Sequence, residues 1–135
     1  LDNRVSFHLD PLDTKGPWEA LVAMLQQLDE MEIVQLLPVD TPWFDHVAIG
    51  LLRRQMERLP ELEGVLPMDE YGSHPLLAQF RSGIMLQHLL SQPPQSLRSL
   101  FEQVNLKAIL AEDFHYAGCH PNCFLNLNYP EDFSK

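Results

Sequence analysis

The sequence predicts an all-α fold, an irregular helical bundle or α-solenoid segment of about five to seven helices. Two observations carry this expectation. The stretch 75–92, PLLAQFRSGIMLQHLLSQ, has the length of a helix and one charge, Arg81. At about 100° per residue, Leu76, Leu77, Phe80 and Ile84 fall on one side and Met85, Leu86, Leu89 and Leu90 on the other, so the predicted helix needs apolar neighbours on both sides. Gly83 within it predicts the close approach of another backbone. Helix-start signals also recur near Pro17, Pro42, Pro75 and Ser96, at unequal intervals that exclude a fixed repeat.

Taken in order, Val5, Phe7 and Leu9 alternate with polar residues as a short extended segment. Gly16-Pro17 opens a helix, with Glu19 near its positive end and Leu21, Val22, Leu25 and Leu28 at helical spacing. Asp29 and Glu32 have capping-box spacing and predict a second, short helix through Ile33, Val34, Leu36 and Leu37 that stops at Pro38. Thr41-Pro42 starts a long helix to about Leu59, on which Arg53 and Glu57 pair at i,i+4. Residues 60–73, with two prolines, two glycines and four acids, read as a solvated connector. After Pro93-Pro94, Ser96 caps a helix containing Leu97, Leu100, Phe101 and Val104, and helical spacing continues through Leu106, Ile109 and Leu110. In the tail, Leu125, Leu127 and Tyr129 alternate as a second extended segment, and pairing of the two extended segments is the expected way to satisfy their backbones.

Composition bounds the function classes. The 135 residues suffice for one domain with its own core, and 45% hydrophobic with 21% charged residues is globular. The expected organisation is a single helical domain over 1–135, excised from a longer chain. Nine Lys plus Arg against nineteen Asp plus Glu give a net charge of −10, which disfavours nucleic acid and anionic membrane surfaces as partners. No apolar run approaches the length of a membrane span. Two cysteines are too few for a disulfide framework, and an intracellular location, cytoplasmic or nuclear, is the expectation.

The densest chemical cluster is the run from His115 through Cys119 and His120 to Cys123. Its Cys-x3-Cys spacing lies in the range of zinc sites, and the Pro121-Asn122 turn brings the cysteines together. His115, Cys119, His120 and Cys123 are thus the candidate metal ligands, with zinc as the one cofactor weighed. Against them stands the missing distant ligand pair that structural zinc sites use, and free thiols in an ordinary loop are the favoured alternative. Phosphate-binding loops, nucleophile elbows and metalloprotease motifs are absent from the sequence. The expected function is therefore non-catalytic binding of another protein, as an adaptor or scaffold domain. Trp43 and Tyr71 are the candidate aromatic anchors, and Arg53, Arg54 and Arg58 a candidate basic patch. The alternatives are a free-standing acidic partner protein of the chaperone or toxin-antidote type, and a small metal-binding protein using residues 115–123.

Overall fold

The computed structural model describes residues 16–38, 40–91 and 97–125. It corrects the all-α expectation: a mixed five-stranded sheet carries helices on both faces, an α/β architecture. The described elements are α1 (Gly16–Leu25), β1 (Ile33–Gln35), α2 (His46–Arg58), β2 (Gly64–Asp69), β3 (Gly72–Ser73), a 3-10 turn (Pro75–Leu77), β4 (Gln79–Arg81), α3 (Ser82–Ser91), α4 (Leu97–Glu102), β5 (Leu106–Leu110) and α5 (Ala111–Tyr116). The proposed pairing of the segments around Phe7 and Leu127 lies outside the described residues.

β2 is the middle of the sheet. Along one edge it pairs in parallel with all of β5, from Gly64↔Leu106 to Met68↔Leu110. Along the other it pairs antiparallel with β4 at Gly64↔Phe80 and Val65↔Gln79, then with β3 at Met68↔Ser73 and Asp69↔Gly72. β1 pairs antiparallel with β4 through Val34↔Phe80, so β1, β2 and β5 run in one direction and their carboxyl ends share one edge. Pro67 interrupts none of this. Its carbonyl accepts the His74 N–H (2.9 Å), so its donor-less nitrogen faces the gap between β3 and β4 where the 3-10 turn leaves the ladder.

Alternate residues of the buried strands serve two cores. Val65, Leu77 and Ile109 pack with Phe44, Ala48, Leu52 and Met56 against α2 and α5, while Leu66, Ala78 and Phe80 pack with Leu25, Met85, Leu89 and Leu100 against α1, α3 and α4. Arg81 ties the strand to the helix layer: its Nε donates to the Leu62 carbonyl (3.0 Å) and an Nη to that of Met56 (2.9 Å). Gln79, also buried, donates from Nε2 to the Ile49 carbonyl (2.8 Å). The helix expected over 75–92 is therefore three elements, and its two apolar sides belong partly to a strand buried on both faces.

Local signals were honoured more often than their outcomes. α1 begins at Gly16, and the Arg53–Glu57 pair forms at 3.0 Å. The capping-box residues do make a turn, with the Met31 N–H on Asp29 Oδ1 (2.9 Å), but a strand follows instead of the expected short helix. Asp45, rather than Thr41, caps α2 by accepting from the Val47 and Ala48 amides. The connector expected over 60–73 is β2 and β3, and the helical spacing expected at Leu106, Ile109 and Leu110 is β5. Gly83 does sit against another backbone: a Cβ there would lie 2.6 Å from Glu30 Cβ and 3.0 Å from its carbonyl oxygen, which accepts the Gly83 N–H.

Gly64 has no room for a side chain, since an added Cβ would meet Leu106 Cδ2 at 2.6 Å and the Gln79 carbonyl oxygen at 2.7 Å. Gly64→Ala is expected to cost about 1–3 kcal/mol by overpacking. Gly50→Ala, where the nearest atom is Arg54 Nη1 at 3.6 Å inside α2, is expected to stabilise by about 0.5–1 kcal/mol. Denaturant melts of both variants check this contrast.

Candidate functional site

Three segments meet at the carboxyl edge of the parallel strands: the loop after β1, the β2–β3 hairpin and the turn after α5. The first is held by short-range bonds. The buried Thr41 donates from Oγ1 to the Pro38 carbonyl (3.2 Å), and the Phe44 N–H donates to the Thr41 carbonyl (3.2 Å). Between them stands Asp40, half-buried and without a hydrogen-bond partner among the described residues. A partly buried carboxylate usually finds a donor in the protein or in water.

The hairpin supplies a second carboxylate. Gly72, at φ +121°, allows the tight return that brings His74 back onto Asp69. His74 Nε2 lies 2.8 Å from Asp69 Oδ2, and Asp69 Oδ1 accepts the Tyr71 N–H at 2.9 Å. Burial alone would raise the Asp69 pKa. The hydrogen bond from His74, the amides of Tyr71 and Gly72 and the His74 charge outweigh it and hold the carboxyl below its ordinary range. The other side of the hairpin contacts the turn after α5, where Phe124 stacks on His74 (centroids 5.0 Å, 28° between planes) and packs edge-on against Phe114.

That turn contains the candidate metal ligands, and the structure does not assemble them as a metal centre. Among the described residues no group of three or more His, Cys, Asp or Glu side chains is placed to hold an ion. His115 is exposed and turned edge-on to Tyr116 (6.0 Å). His120 is stacked on Trp43 (4.8 Å, 8°), with its Nδ1 accepting the Asn122 N–H (3.0 Å). Cys119 and Cys123 are free and buried among Phe44, Phe114 and Leu77. Burial, with Asp45 nearby, raises Cys119 against the opposing charge of Arg54. Burial, the neighbouring Cys119 and the carboxylates of Asp45 and Asp69 push Cys123 up to about 12. Both are neutral thiols at physiological pH, packed as core residues.

The candidate interaction residues scatter over separate elements. Trp43 is half-buried under His120, Arg53 is neutralised by Glu57, and Arg54 and Arg58 are exposed on α2. Tyr71 stands 87% exposed at the hairpin tip. Asp40, Asp69 and His74, which the structure brings to the carboxyl edge, were absent from the expected site. Their sequence signals are an acid directly after an apolar run, at Asp40, and an Asp-x4-His spacing around Gly72.

Both thiols are expected to react with a neutral thiol reagent far more slowly in the native chain than after denaturation, by about 100-fold or more, since each loses both thiolate character and access. Timed labelling at pH 7 with and without denaturant measures it. Equal rates would show the turn to be open.

No family model and no curated protein matches the chain. Solved structures do match. One, from Archaeoglobus fulgidus, is described as molybdopterin-guanine dinucleotide biosynthesis protein A; it has a TM-score of 0.67 and 19% identity over 88% of this chain and 60% of its own. Another, a putative protein from Aquifex aeolicus, has a TM-score of 0.60 and 16% identity over 90% of this chain and 60% of its own. The chain thus spans about three-fifths of the length of either structure. At these identities the likeness is one of fold, and the fold it agrees with is the α/β sheet described above.

Proposed function

We propose that this chain works in dinucleotide biosynthesis and that it holds a nucleotide at the carboxyl edge of β1, β2 and β5. The observation that carries the reading is Asp40, a half-buried carboxylate with no hydrogen-bond partner among the described residues, in the loop leaving β1. Open α/β sheets hold ligands outside the carboxyl ends of their parallel strands. The fold neighbour described as a dinucleotide biosynthesis protein supports the choice of ligand class. Asp40 would accept from hydroxyl or amino groups of the ligand, or complete the shell of the magnesium that a nucleotide brings with its phosphates.

The chain's charge of −10 makes the sign of the test informative. In calorimetric titration with the magnesium salt of guanosine triphosphate, Asp40→Asn is expected to weaken binding about tenfold or more, the loss of one charge-assisted contact. If the carboxylate merely repelled the phosphates, the same change would tighten binding. No heat at millimolar nucleotide, or an unchanged affinity, would overturn the reading.

A second reading, recognition of another protein, draws on Tyr71 and Tyr116, which are 87% and 86% exposed. Aromatics of this kind anchor interfaces. This reading is favoured over the first if nucleotide binding is absent and a protein partner is lost on Tyr71→Ala.

A further inference from the structure

The Asp69–His74 pair has a feature that holding the hairpin does not use. Asp69 spends both carboxylate oxygens inside the hairpin, Oδ1 on the Tyr71 amide and Oδ2 on His74 Nε2. An ionised carboxylate is an acceptor only, so the imidazole nitrogen facing it carries the hydrogen, and the tautomer is set. The remaining nitrogen, Nδ1, is then a lone-pair acceptor in the neutral ring, and it has no hydrogen-bond partner among the described residues. The ring cannot swing freely, because Phe124 stacks on it and the His74 N–H is anchored on Pro67. Its side chain is 28% exposed, so part of the ring is open to solvent.

We infer that His74 is a ligand-contacting residue, accepting at Nδ1 a hydrogen bond from a hydroxyl or amino group of the nucleoside part of the ligand, with Asp69 as its positioning residue. This rests on the nucleotide reading above and deepens it. The local charge selects the nucleoside over the phosphates. Asp69 is ionised directly behind the ring, and Asp45 lies close enough to act on the adjoining Cys123. A polyphosphate would be repelled here, whereas an uncharged donor suits an acceptor nitrogen backed by a carboxylate.

The test maps carbethoxylation of His74 by diethylpyrocarbonate, which attacks an accessible unprotonated ring nitrogen, with and without the magnesium salt of guanosine triphosphate. Nitrogen-15 spectra of the histidine rings accompany it. With the ring neutral, His74 of the free chain is expected to carry its hydrogen on Nε2 and to show a bare Nδ1, and the nucleotide is expected to shield it from the reagent. His74→Phe keeps a ring for Phe124 to stack on but removes the acceptor. It is expected to weaken nucleotide binding about three- to tenfold, the worth of one hydrogen bond, while slow labelling of the two thiols reports an intact fold. The opposite tautomer, or nucleotide binding that leaves His74 as reactive as before, overturns this inference alone. Failure of the nucleotide to bind at all overturns it together with the nucleotide reading.

Discussion

Every other element takes its place from the way β2 is enclosed. Both of its edges are paired and both of its faces are covered, so Gly64 meets Leu106 on one side and Gln79 and Phe80 on the other at distances that leave no room for a side chain. From Gly64 to Pro67 the strand is buried and apolar, its backbone groups are paired by its neighbours, and only its last two residues, Met68 and Asp69, are partly exposed. Val65 and Leu66 then commit the helices to opposite sides. α2 and α5 must cover the first, and α1, α3 and α4 the second.

This enclosure also fixes the carboxyl edge. Because β1, β2 and β5 run together, the loops that leave β1 and β2 emerge on the same side, and α5 after β5 returns the chain across them. The returning turn is held by apolar and aromatic contacts: Phe124 on His74, Phe44 and Phe114, His120 on Trp43, and two buried thiols beneath. The residues with spare hydrogen-bonding capacity, Asp40 and His74, stand on two of the segments that this cluster joins. A rigid apolar base with a few fixed polar groups is the ordinary construction of a small-molecule site.

What could be read from the sequence divides along burial. α1, α2 and α4 announce themselves through helical periodicity, although α2 starts at His46 behind Asp45 and not at Thr41, and the i,i+4 pair on α2 forms as its spacing implies. The strands do not. β1 and β4 are three residues long and β5 five, too short to show a period, and strands between two helix layers lack the alternation that marks a half-exposed strand. Gln79-Phe80-Arg81 joins α3 without a break in sequence, so its apolar residue completes a helical wheel by coincidence. Pro67 argued against a strand where the ladder happens to have a gap. The cysteine-histidine run was conspicuous by residue type, yet its side chains serve packing, because a turn that closes over a core buries its thiols and stacks its imidazole. Asp40 and Asp69 could not be singled out among nineteen acids until the sheet placed one in the loop after β1 and the other at the end of β2.

The most direct measurement of this account is the proton–proton contact map across β2 and β5 in solution. Parallel pairing places the backbone protons of Val65 and Leu66 within reach of those of Lys107 and Ala108, with Gly64 in contact with Phe80 on the other edge. Cross-peaks between these pairs are the result the account predicts. Sequential helical contacts running three residues apart through Leu106, Ile109 and Leu110, with none between the two segments, would contradict it.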